Sequence, residues 1–259
     1  MSKSKIFGVI ALKGGVGKTT VVSNLGASLA RDFNKKVLLI DANFSTPHLG
    51  LHLGLVTPKY TLHHVLNENH SIFETIYQHE LGFHIIPGKL APFTTNPLVL
   101  KEKLAPLKEI YDVILIDSSP SLNDEMYATM AASDELLVVS SPDYPTLSST
   151  IHAILVAGER EAKIRGIVIN KTRKKRFELS SRDISKASEI KVLASIPDDV
   201  KVLAALSKMT PMVHHAPKHE ISQIYKKLAG SLIGEGTKRK RKAKSTKKKE
   251  LVAEVYQVN

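Results

Sequence analysis

Apolar runs of four to seven residues recur along this chain at 6–12, 36–40, 83–86, 113–116, 135–139, 166–169 and 191–196. They are short and nearly unbroken by polar residues, which predicts strands buried on both faces. Helical stretches are predicted from Thr19 onward and from near Thr61, Pro97, Asn123, Pro145, Glu178, Asp199 and Lys218, with Asn123 and Ser222 as caps or first-turn residues. Such alternation predicts an α/β fold, a mainly parallel sheet with helices on both faces and a ligand beyond the carboxyl ends of its strands. No internal repeat is visible, and no linker before about residue 234. Residues 1–236 are therefore expected to form one domain and 237–259 a tail.

The junction between the first strand and the first helix carries the strongest chemical signal. Lys13-Gly14-Gly15-Val16-Gly17-Lys18-Thr19-Thr20 is a glycine-rich turn opening a helix, the arrangement of a phosphate-binding loop. A helix start leaves backbone N–H groups unpaired in a field that favours anions. Glycines let the backbone curl around phosphate oxygens, and Lys18 and Thr19 stand where a terminal-phosphate ligand and a magnesium-binding hydroxyl belong. Leu12 occupies the place where the strict motif has its first glycine.

Two acids reinforce this reading. Val113-Ile114-Leu115-Ile116-Asp117 ends a buried strand in a carboxylate, which is costly unless paired, and magnesium beside a phosphate loop is the natural partner. Residues 36–41 repeat the form and end in Asp41, followed by a segment, 42–50, read as irregular. Both segments are expected on the phosphate-holding edge, where they could rearrange when the terminal phosphate leaves.

Composition narrows the alternatives. The 259 residues contain no cysteine, which excludes disulfides, thiolate zinc sites and cysteine-held iron–sulfur clusters, and with them a metallocluster carrier. No run approaches the roughly 18–20 apolar residues of a membrane span, and no signal-peptide core is present, so a soluble intracellular protein is expected. The net charge of +12 is read as chiefly a property of the tail, where nine cations lie between Lys238 and Lys249. That run is expected to be disordered, followed by Leu251, Val252, Val255 and Tyr256 at helical spacing. His48 and His52, His63-His64 and His214-His215 lack the interposed glutamate of a zinc hydrolase and are read as core or surface residues.

Five segments in order, LKGGVGKTT, DANFSTPHLGLHLG, IDSSPSLNDE, PDYPT and IPDD, resemble the MinD/ParA ATPases, P-loop NTPases of the deviant Walker A (SIMIBI) type, and most closely MinD-like proteins of archaeal type. The resemblance covers about residues 5–233. It implies an ATP- and Mg2+-dependent homodimer that hydrolyses ATP slowly and positions a cellular component, with Lys13 reaching the partner's phosphates. It implies further that Gly14, Gly15, Val16, Gly17, Lys18, Thr19 and Thr20 hold the phosphates, that Thr19, Asp41 and Asp117 serve the metal, and that Lys13, Lys18, Asp41 and Asn43 form the catalytic set. Asn170 and the loop around Pro197 are placed against adenine, and the helix start at Pro145, Thr146 and Leu147 at the dimer face or against an activator protein.

Two details of the sequence bear on that implication. In Asn170-Lys171-Thr172-Arg173 the acid that reads guanine is absent, which favours ATP over GTP. Asn43 stands where the family commonly has a second acid, so turnover is expected to be slow, or Asp41 to orient the water, unless Asn43 only caps the following turn. Three roles stay open: a MinD-like regulator on an anionic membrane surface, a ParA-like partitioning ATPase whose Lys238–Lys249 tail binds DNA without reading sequence, and an ATP-bound scaffold that scarcely turns over.

Overall fold

The computed structural model describes residues 4–67, 70–90 and 96–235. The basic tail and its apolar end, expected over 237–259, lie outside the described residues. Eight strands form one sheet: β1 (Lys5–Ile10), β2 (Val37–Ala42), β3 (Tyr77–Gln78), β4 (His84–Ile86), β5 (Val113–Ser118), β6 (Glu135–Ser140), β7 (Ile164–Thr172) and β8 (Val192–Pro197). Their order is β3-β4-β2-β5-β1-β6-β7-β8. Every pairing is parallel except the two-residue edge strand β3 against β4.

Among the described residues ten α-helices connect and cover the sheet: α1 (Lys18–Phe33), α2 (Leu49–His52), α3 (Leu62–Asn67), α4 (Leu100–Leu104), α5 (Asp124–Ala132), α6 (Tyr144–Glu159), α7 (Ser181–Ser188), α8 (Val200–Ser207), α9 (Met212–His215) and α10 (Glu220–Leu232). The strand period of two divides the core between the two faces. Phe7, Val9, Leu39 and Leu115 point to one side, where Leu25 of α1 and Tyr225 and Leu228 of α10 cover them. Ile6, Leu38, Ile40 and Ile114 point to the other, toward Leu62, Leu100 and Leu104. Ile10, Val138 and Ile167 continue that second layer against Met126, Ala153 and Ile184.

Local chemistry sets the helix starts. Asn123 caps α5 by accepting from the Met126 N–H, and Asp143 caps α6 by accepting from the Thr146 N–H. The stretch expected near Glu178 begins at Ser181 instead, because Ser180 and Asp183 form a reciprocal capping box there. His219 caps α10, which leaves Ser222 in the first turn. Part of the segment read as irregular, 42–50, opens the short helix α2, whose backbone Asp41 anchors.

Candidate functional site

At the carboxyl end of β1 the chain turns through residues 11–17 into α1. Gly15 and Gly17 take positive φ angles, 76° and 97°, which side chains rarely tolerate. Gly17 is the N-cap of α1, so no side chain occupies the first-turn donors, and the first turn holds no acid. A Cβ on Gly14 or Gly15 would meet nothing within 4 Å, so both glycines face open space. These donors and glycines border a cavity of about 450 Å3, also lined by Lys18, Thr19, Asn43, Asn170 and Pro197.

Lys18 is only 8 % exposed, and burial pushes its ammonium pKa down against the opposing pull of Asp117. The Thr19 hydroxyl donates to Asp117 Oδ2 at 2.6 Å. Asp117 Oδ1 is buried and has no hydrogen-bond partner among the described residues. Asp41 and Asp117 are register partners on adjacent parallel strands. Both are buried, and burial raises both carboxyl groups, with Asp117 adding to the rise at Asp41. An unpartnered carboxylate oxygen beside a threonine hydroxyl and a buried lysine suits an oxygen-seeking cation, so Thr19 and Asp117 are the residues that would hold Mg2+.

Asp41 is placed differently from that pair. Its Oδ1 accepts from the Asn43 N–H at 3.3 Å and its Oδ2 from the Leu49 N–H at 2.9 Å. It borders a second cavity, beside Pro47, Gly50 and Gly88, whereas Thr19 lines the one at the phosphate loop and Asp117 lines neither. Asp41 thus holds segment 43–49 by its backbone. Asn43 does line the phosphate-side cavity, and it also closes a turn: its Nδ2 donates to the Thr46 carbonyl at 2.6 Å and its Oδ1 accepts from the Thr46 N–H at 3.3 Å. Ser45 on that turn donates through its hydroxyl to the buried Glu125 of α5, which ties the segments after β2 and β5 together.

Asn170 braces the phosphate loop, because its Nδ2 donates to the Val16 carbonyl at 2.8 Å. A Cβ on Gly17 would lie 2.3 Å from the same nitrogen. Lys13 turns away from the cavity and lies against the start of α6, 3.2 Å from Asp143 Oδ1 and 2.8 Å from Thr146 Oγ1. Pro197 ends β8, and beyond it Val202, Leu203 and Leu206 of α8 supply an apolar wall with His48 and His52. Sequence reasoning missed that wall. Its one available signal was the run of apolar residues in α8, which also reads as ordinary core. Among the described residues no group of three histidine or acidic side chains gathers to hold a metal.

A parallel sheet with a glycine loop between its central strand and a helix start, and an acid on the neighbouring strand, defines a P-loop nucleotide-binding domain. Family models described as AAA domains match residues 4–156 and 113–205. An ATP-binding protein of Methanocaldococcus jannaschii is 30 % identical over 235 residues, 88 % of this chain and 89 % of that one. The septum site-determining protein MinD of Thermotoga maritima is 30 % identical over 243 residues, 86 % of each chain. The chromosome partitioning protein ParA of Caulobacter vibrioides is 30 % identical over 264 residues, 92 % of this chain and 97 % of that one. Among solved structures, Pyrococcus horikoshii MinD complexed with Mg-ADP superimposes with a TM-score of 0.84 at 27 % identity, covering 88 % of this chain and 96 % of that one. The chain belongs to the MinD/ParA family of P-loop ATPases.

Proposed function

We propose that this protein is an ATP-switched homodimer that hydrolyses ATP slowly and, in the manner of MinD, places a cellular component. The observation that carries the reading is the cradle itself: Gly14 and Gly15 facing open space, uncapped α1 donors, buried Lys18 and the unpartnered Asp117 Oδ1. Residues 14–20 bind the triphosphate through backbone N–H groups, with Lys18 as counter-charge to the terminal phosphates. Thr19 and Asp117 hold Mg2+, which neutralises phosphate charge when bound. Asn170 and Pro197 border the adenine, with Val202 and Leu203 as its apolar wall. Lys13 crosses to the partner's phosphates, where its cation offsets the repulsion of two facing nucleotides and makes the interface depend on the terminal phosphate. Hydrolysis then loosens the dimer, and segment 43–49, held by Asp41 and tied to α5 through Ser45 and Glu125, transmits the change.

Sedimentation of the full chain with ATP, with ADP and without nucleotide tests this. A dimer formed only with ATP supports it; a monomer under all three conditions, or a failure to bind Mg-ATP, overturns it.

A second reading, ParA-like partitioning, draws on the nine cations between Lys238 and Lys249. With ATP present, binding to duplex DNA that falls steeply with salt favours partitioning. Retention on anionic vesicles at moderate salt favours the MinD-like role. Among the described residues no helix is long and apolar enough to cross a membrane; in the MinD-like reading attachment is peripheral, through the cations of the tail. The turn closed by Asn43 also keeps an ATP-bound scaffold in play, and multiple-turnover phosphate release separates switch from scaffold.

A further inference from the structure

The densest positive charge of the domain sits in one loop. Residues 171–191 hold eight cations and three acids, whereas the rest of residues 1–236 holds twenty of each. The first seven of these residues, Lys171-Thr172-Arg173-Lys174-Lys175-Arg176-Phe177, contain five cations and no acid; Lys171 donates to the Gly15 carbonyl at 2.7 Å and borders the phosphate-side cavity, so the outward set is residues 173–177. We propose that this loop is a contact for an anionic bilayer surface, built into the body of the protein and separate from the tail.

The loop has a fixed shape. Both carboxylate oxygens of Glu178 accept from the Arg173 N–H at 2.9 Å, and one accepts from the Lys175 N–H at 3.3 Å. The Glu178 N–H returns a bond to the Lys175 carbonyl at 3.0 Å, and the Leu179 N–H anchors the far side on the Pro142 carbonyl. The acid next to the loop in sequence therefore binds backbone, and residues 173–177 are exposed. Arg173 pairs with Asp198, and Lys174 approaches Glu220 at 3.8 Å. Lys175 and Arg176 have no acidic partner among the described residues. Beside them stands Phe177, 80 % exposed.

A single apolar residue in water is ordinary. One held on a clamped loop, beside Lys175 and Arg176, matches a bilayer interface, where cations meet anionic headgroups and an aromatic ring enters at headgroup depth. Duplex phosphates would use the cations and leave the ring idle. The Lys174–Glu220 approach sets the loop near the start of α10, and the tail follows the far end of that 13-residue helix, about 20 Å away. The inference goes beyond the ATP switch and does not require it.

The chain contains no tryptophan, so Phe177→Trp in the full chain is a unique reporter. With vesicles of phosphatidylglycerol and phosphatidylcholine, without nucleotide, its emission should shift to the blue and be quenched by brominated lipid, with no change on pure phosphatidylcholine. In the otherwise unaltered full chain, Lys175→Glu with Arg176→Glu should weaken vesicle binding at least five-fold for each cation lost. Vesicle binding with an unshifted emission, no vesicle binding, or a shift produced by DNA and not by lipid would each overturn the proposal. A blue shift in a protein that never dimerises with ATP would leave this contact standing while removing the switch.

Discussion

Lys13 and Asp143, 130 residues apart in sequence, form an ion pair at 3.2 Å, and the same ammonium donates to Thr146 at 2.8 Å. The cation proposed to cross a dimer interface is thus engaged at home, on the start of α6. Lys13→Ala should retain Mg-ATP binding within about two-fold and lose ATP-driven dimerisation, read by sedimentation. Asp143→Asn keeps a competent helix cap and frees Lys13, so its dimer should form at several-fold lower protein concentration. An unchanged dimer in both variants would remove Lys13 from the interface.

The same pair has a pH signature. Burial alone would raise Asp143, but hydrogen bonds from Ser141, the Thr146 N–H and hydroxyl, and Lys13 outweigh it and hold the carboxyl at about 2. A depressed carboxyl contributes stability that is full above its unfolded value, about 3.9, and is lost as pH falls through 2. The Tm difference between the parent and Asp143→Asn should therefore be present at pH 7 and disappear between about pH 4 and pH 2.

Asp117 behaves in the opposite sense. Burial raises it, so without ligand its ionisation costs stability as pH climbs out of the ordinary carboxylate range toward neutrality. Asp117→Asn should raise the ligand-free Tm at pH 7 by about 2–4 °C, the response of a domain this size to roughly 1 kcal/mol. Calorimetry with and without Mg2+ should show the magnesium-dependent part of ATP affinity falling at least ten-fold. A variant with parental magnesium dependence would remove Asp117 from the metal site.

The glycines of the loop should separate by role. Gly14→Ala adds a methyl group to open space, so Tm should hold while ATP affinity falls. Gly17→Ala strains a φ of 97° and meets Asn170, so stability itself should drop by about 1–3 kcal/mol. Thermal unfolding and nucleotide titration of both variants read the contrast.

Asn43→Asp should raise phosphate release at saturating ATP, because a carboxylate favours proton removal from water more than an amide does. An unchanged or lower rate would assign Asn43 to the turn it makes with Thr46.

The sequence carried the strands and the phosphate loop because both are written in contiguous residues, and all seven apolar runs became strands. What it could not carry was set by distant partners. Asp41 reads as a metal acid by its place at a strand end; that its oxygens meet the Asn43 and Leu49 N–H groups depends on the chain folding back over residues 43–49, which no local pattern announces. The Lys13–Asp143 contact depends on β1 and β6 being neighbours, which follows from strand order and not from spacing. The two-residue β3 is too short for any periodicity. Charge misled by averaging: a body excess of about +5 reads as ordinary, while residues 171–177 place five cations and no acid in seven positions.

β1, β2 and β5 are each laced to a neighbour on both sides, and a strip bonded along both margins cannot slide. In the proposed switch, news of a departed phosphate would therefore be carried by the few residues past the final rung of each ladder, above a block that stays still, and a partner sensing it within one protomer would have to read that narrow fringe.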